Sequence, residues 1–311
     1  MSLDRLIEKI EQTQNPTVAG LDPKLDYVPE YIKSRCFDKY GETLKGAAKA
    51  LLEFNKGLID ALYDIVPAVK PQAAYYEMYG PAGMKTLYKT QEYARSKGMY
   101  VITDGKRNDI GTTMEAYACA HLGKVKVGST EIEPFLGDAL TVNGYLGSDG
   151  IKPLLKVCSE NDKGIFVLAK TSNPSSGELQ DKKIDGEPIY EVMGKMCEKW
   201  GEDLPGVYGY SGVGAVVGAT YPEQIKELRA LLLHTFFLIP GYGAQGATAA
   251  DIAGAFDKNG LGGIVNSSRG IMCAYQKQKC AETEFAEAAR KEAIRMRDEI
   301  MSQIGKIVLN G

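Results

Sequence analysis

Histidine is nearly absent: His121 and His234 are the only two in 311 residues. That scarcity excludes a His-rich metal site, and with neither histidine near a GxSxG turn it argues against a Ser-His-Asp triad. The six cysteines (Cys36, Cys119, Cys158, Cys197, Cys273, Cys280) form no CxxC pair. They are too sparse for a disulfide scaffold and read as reduced thiols of a cytoplasmic protein. No apolar run approaches the roughly 18 residues a membrane span needs, and the first residues lack the apolar core of a secretory signal. An excess of basic charge is missing too. Lys and Arg number 37 against 40 acidic residues, a net charge of −3, so no positive field invites nucleic acid or anionic lipid. The first β-rich run is followed by GLDPKLD rather than GxGxxG, which argues against a Rossmann dinucleotide site.

What is present is a repeated alternation. Nearly continuous apolar or β-branched runs lie at 17–22, 68–72, 100–105, 139–143, 164–170, 214–219, 236–240 and 262–267. Such runs suit parallel strands covered on both faces. Helical periodicity fills the segments between them. Leu44, Ala47, Leu51, Phe54, Leu58 and Leu62 share one helical face, as do Phe285, Ala289, Ala293, Met296, Ile300 and Ile304. The N-terminal stretch reads as a further amphipathic helix. Eight strand-helix units predict an α/β fold, a (β/α)8 TIM barrel, better than an open doubly wound sheet. No linker divides the chain, so residues 1–311 read as one domain, with long loops at about 23–41 and 171–212 placed to shape a site.

In such a barrel, reactive groups come from the C-terminal strand ends. Those ends offer Asp22, Lys70, Asp104 with Lys106, Asn143, Lys170, Thr220, Gly241, and Ser267 with Arg269. Asp104 and Lys106, two apart on a strand, are expected on the same side. Asp109 stands where a helix begins, and taken alone would serve equally as a helix N-cap. Lys70 or Lys106 alone would more often be a solvated rim charge, and a structural salt-bridge network is the lesser reading of the four charges together. Two lysines and two aspartates on adjacent strand ends point instead to a charge-neutral array in a site. GYGAQGAT (241–248) and NSSRGIM (266–272) follow the seventh and eighth strands, where barrels bind phosphate. Arg269 suits a bidentate phosphate contact, and Gln245 lies in a loop able to reach over a ligand.

The segment DGKRNDIGTT (104–113), preceded by a strand ending in lysine, resembles orotidine 5′-phosphate decarboxylases. The resemblance continues through AGLDP (19–23), DALTVNGYLG (138–147), LAKTSNP (168–174), VVGAT (216–220), PGYGAQG (240–246) and NSSRGI (266–271), closest to the longer-loop branch of that family. It implies cofactor-free decarboxylation of orotidine 5′-phosphate to UMP and CO2 in de novo pyrimidine biosynthesis. It also implies a charged tetrad of Lys70, Asp104, Lys106 and Asp109, with Lys106 as proton donor. Asp109, Ile110 and Thr113 would reach the neighbouring site of a homodimer. Asp22 and Lys70 would hold the ribose hydroxyls, Thr171 and Ser172 the pyrimidine, and Gln245 and Arg269 the phosphate. Gln72 and Asn143 take supporting roles. The competing expectations are a metal-dependent sugar-phosphate lyase or synthase on the same barrel, a Schiff-base aldolase using Lys70, Lys106 or Lys170, and a non-catalytic nucleotide-binding barrel.

Overall fold

The computed structural model describes residues 2–243 and 246–309. Eight parallel strands close into a barrel: β1 (Thr17–Leu21), β2 (Ala68–Pro71), β3 (Tyr100–Arg107), β4 (Ala139–Val142), β5 (Gly164–Lys170), β6 (Val213–Val217), β7 (Phe237–Ile239) and β8 (Gly263–Ser267). Each strand pairs with its sequence neighbours, and β8 closes on β1 through Thr17–Val265 and Ala19–Ser267. All eight apolar runs are strands; 164–170 keeps its expected bounds, and the ends of the others shift by at most two residues.

The longer helices are α1 (Ser2–Thr13), α2 (Glu30–Tyr40), α3 (Leu44–Leu62), α4 (Gly80–Ser96), α5 (Gly111–Leu122), α6 (Ser148–Asn161), α7 (Ile189–Gly201), α8 (Pro222–Leu231) and α9 (Phe285–Ile304). In α3 the expected stripe from Ala47 to Leu62 is buried, but Leu44 is 56% exposed. Leu44 directly follows the cap residue Thr43, whose Oγ1 accepts the Gly46 N–H at 3.1 Å, so the helix axis has not yet brought it over the core. In α9, Phe285 to Ile300 pack inward while Ile304 is only partly buried.

α1 has a task that periodicity did not reveal. Its apolar face of Leu3, Leu6, Ile7 and Ile10 packs with barrel-interior residues such as Val18, Tyr100, Phe166 and Ile264. Burying four such side chains is worth roughly 1.5–3 kcal/mol each, and it plugs one end of the barrel, leaving the strand C-termini as the open face. Both long connections start at that face and supply cavity residues there, Lys24 and Tyr27 after β1 and Thr171, Ser172 and Gln180 after β5. Residues after β1 form α2, and those after β5 form a small hairpin (Lys183–Ile184 with Glu187–Pro188) and α7. The six cysteines are free thiols. Among the described residues, no helix is long and apolar enough to cross a membrane.

Candidate active site

The site grows from the ends of β2, β3 and β4. Lys70, on β2, has a side chain only 5% exposed, and its Nζ donates to Asp104 Oδ2 at 2.7 Å. The other oxygen of Asp104 accepts from Lys106 Nζ at 2.6 Å and from Thr141 Oγ1 at 2.8 Å. One carboxylate is therefore held by two ammonium groups and a hydroxyl. Burial raises the pKa of Asp104, but Lys70 and Lys106 outweigh it and hold the group well below the usual carboxylate range. Burial likewise disfavours the charge on Lys70, yet Asp104 and then Asp22 outweigh it and raise its pKa.

Lys106 does not continue β3 in regular alternation. Its φ is +48°, an uncommon conformation for a residue with a Cβ, and the β3–β4 register shifts between Thr103 and Arg107. Thr141 stabilises the turn-out by accepting the Lys106 N–H on its Oγ1 at 3.0 Å. The expected meeting of Asp104 and Lys106 occurs, but through a bulge rather than strand periodicity. Lys106 keeps 46% of its side chain exposed, so its ammonium stands at the cavity edge of the network.

Two adjoining cavities share Lys70, Asp104 and Pro240. The first, about 440 Å³, has Lys106 and Thr141 on one side, Leu168, Val216 and Leu238 as an apolar wall, and Thr171, Ser172 and Gln180 from the long loop after β5. The second, about 420 Å³, is polar and includes Asp22, Lys24, Asn266, Ser268 and Arg269. There the buried Oδ1 atoms of Asp22 and Asn266 have no hydrogen-bond partner, which leaves acceptors suited to ligand hydroxyls. Gly20 lets this floor close: a Cβ there would lie 1.9 Å from Ser268 Oγ.

Of the expected site residues, Lys70, Asp104, Lys106, Thr171, Ser172, Asp22 and Arg269 surround these two cavities. Asp109, Ile110 and Thr113 do not line either one. The N-cap of α5 is Ile110, not Asp109, and Asp109 Oδ1 instead accepts the Ile110 N–H at 2.8 Å. Gln72 pairs with the backbone of Asp104 as an isolated bridge, and Asn143 turns its Oδ1 to the Tyr145 N–H; neither lines a cavity. Gln245 lies outside the described residues. The loop that carries it is anchored at its base, where Tyr242 donates its hydroxyl to Glu299 Oε2 of α9 at 2.7 Å. Lys170 is fully buried and bound to Asp181, outside both cavities.

Thr141, Gln180, Lys24 and Asn266 escaped the sequence reading. Thr141 sits inside the plain apolar run ALTV, where only its position across from Lys106 gives it meaning. Gln180 lies in a polar loop whose path is set by tertiary contacts. Asn266 had a signal, a polar residue late in a barrel strand.

The described geometry agrees with what the chain is similar to. A relative from Rhodopirellula baltica, named orotidine 5′-phosphate decarboxylase, is 43% identical over 295 residues, covering 94% of this chain and 96% of its own. The solved Leishmania donovani OMP decarboxylase superposes with a TM-score of 0.70 at 27% identity, covering 94% of this chain and 98% of that one. Leishmania donovani UMP synthase matches with a TM-score of 0.72 at 28% identity over 95% of this chain, which spans 56% of that longer one. The model of the orotidine 5′-phosphate decarboxylase / HUMPS family matches residues 42–283, and the chain belongs to this family.

Proposed function

We propose that the chain decarboxylates orotidine 5′-phosphate to UMP and CO2 at the Lys70–Asp104–Lys106 network, as a step of pyrimidine biosynthesis in the cytoplasm. The observation that carries this reading is the placement of that network. It stands where an apolar-walled cavity, large enough to admit a pyrimidine ring, meets a polar cavity containing Arg269. Similarity to curated decarboxylases at 43% identity over almost the whole chain favours this reaction over the sugar-phosphate chemistry of other barrels.

The reaction breaks the bond between C6 and the carboxylate carbon. CO2 leaves, and the electron pair stays on C6 in an sp2 orbital that the ring π system does not delocalise. The protein must stabilise that charge directly. The Lys106 ammonium does so electrostatically, then gives its proton to C6 and recovers one from water. Asp104, pinned by three donors, holds Lys106 in place. An aspartate facing the substrate carboxylate also repels it; two like charges ~4 Å apart at an effective dielectric near 20 cost about 4 kcal/mol.

Asp22 and Lys70 take the ribose hydroxyls, Ser172 with Thr171 the ring, and Arg269 with Gln245 the phosphate. Gln72 and Asn143 support the strand ends. Phosphate binding contributes energy for closing the Gln245 loop over the substrate. Asp109, Ile110 and Thr113 serve the neighbouring protomer of a homodimer. This is supported by the exposed apolar surface on the β3 and β4 ends: Ile110 is 53%, Tyr145 78% and Leu146 46% exposed. The test is the loss of orotidine 5′-phosphate ultraviolet absorbance with purified protein and EDTA. Undiminished turnover in EDTA is expected. Absent turnover, or turnover abolished by EDTA, overturns the reading.

A further inference from the structure

The loop after β5 is tied down at its root more firmly than proton transfer requires. Lys170 ends β5 with no side-chain exposure; its Nζ donates to Asp181 Oδ1 at 2.6 Å and lies 4.2 Å from the centre of the Tyr221 ring. A lysine buried this completely is costly unless paired, so the ion pair dictates where residues 180 and 181 lie. Gln180 thereby faces the first cavity and grips Thr171 twice. Its Oε1 accepts the Thr171 N–H at 2.9 Å, and its Nε2 donates to Thr171 Oγ1 at 2.7 Å. A backbone N–H can only donate, so the orientation of this amide is fixed rather than free to flip. The Thr171 hydroxyl in turn donates to Asn173 Oδ1 at 2.6 Å. With Thr171 held on its backbone and its side chain, the hydroxyl that remains for a ligand on this wall is that of Ser172.

We propose that Gln180, buttressed by the Lys170–Asp181 pair, is a positioning residue for the base-recognising side of the site. It presets Thr171 and Ser172 to meet the pyrimidine ring, and this rests on the decarboxylase reading above. The residue serves the ring and not the sugar phosphate, because Asp22 and Arg269 stand in the other cavity.

The test is calorimetric binding of UMP and of ribose 5-phosphate, which lacks the base, to the wild type, Gln180→Ala and Asp181→Asn. Gln180→Ala is expected to weaken UMP binding about tenfold, the scale of one or two lost hydrogen bonds, and to leave ribose 5-phosphate binding unchanged. Asp181→Asn is expected to show the same split. Equal weakening of both ligands would mean general damage to the fold and overturns the proposal, as does undiminished UMP binding. If Asp181→Asn fails to fold, Gln180→Ala decides alone, since it strands no buried charge. A wild type that binds ribose 5-phosphate but not UMP overturns the decarboxylase reading itself; a wild type that turns over while Gln180→Ala keeps the wild-type ratio overturns only the role of Gln180.

Discussion

A carboxylate that gives one oxygen to Lys70 and the other to Lys106 and Thr141 cannot rotate without losing a charged partner. Its depressed pKa fixes the sign of its pH response. The folded value lies below the unfolded value of about 3.9, so the stabilisation is present above that pH and is lost as pH falls through the folded value. Loss of activity between pH 5 and 7 therefore does not come from Asp104. In the proposed reaction Lys106 is the proton donor, and Lys106→Ala is then expected to lower turnover by about 10⁴ or more, combining a lost general acid with lost charge stabilisation. Steady-state kinetics on a variant with an unchanged melting curve checks this, and turnover within tenfold of wild type would remove Lys106 from its role. The charged residues of this network were legible because Lys and Asp at strand ends are unusual. Thr141 and the positive φ of Lys106 were not, because both exist only once β3 and β4 are paired.

Elements were read most reliably where the apolar run was long. The run GIFVLAK became β5 with its expected bounds, while the shorter FFLIP gave a strand of only Phe237–Ile239. The loops resisted, since a polar sequence such as SNPSSGE takes its path from partners elsewhere. One such partner is Gly218, directly after β6, where a Cβ would lie 2.8 Å from Ser172 N and Cα. Gly218→Ala is expected to push the Ser172 wall inward, costing about 1–3 kcal/mol of stability and raising KM; a variant with wild-type KM would show that the wall yields freely. α5 supplies a separate, pH-dependent effect. His121 is 5% exposed and stacked 5.2 Å from Phe135. Burial, then the charge of Arg107, holds its pKa down to about 4. Its folded pKa is below the unfolded value of about 6.5, so the unfolded chain binds the extra proton and stability falls as pH drops from 6.5 toward 4. Between pH 7 and 5 this removes about 2 kcal/mol. Denaturant titrations of His121→Phe are expected to lose correspondingly less over that interval. An identical pH slope in both proteins would contradict the assignment.

At the scale of the whole molecule, the barrel brings together three members of the expected charged tetrad and leaves Asp109 outside their cavity. The closed eight-strand sheet was legible from hydrophobic runs alone, because strands covered on both faces advertise themselves. The assembly was not, since a surface that meets a second copy has no periodicity of its own, and Ile110 follows β3 while Tyr145 and Leu146 follow β4. The account holds that each site joins Lys70, Asp104 and Lys106 of one protomer to Asp109 of its partner. Mixing inactive Asp109→Ala and Lys106→Ala homodimers under conditions of proven subunit exchange tests this directly. Every hybrid then contains one intact site. Random exchange of equal amounts is expected to restore about a quarter of wild-type activity in a two-fold symmetric dimer. Exchange without any recovered decarboxylation would place Asp109 and Lys106 in the same chain's site and would contradict the account.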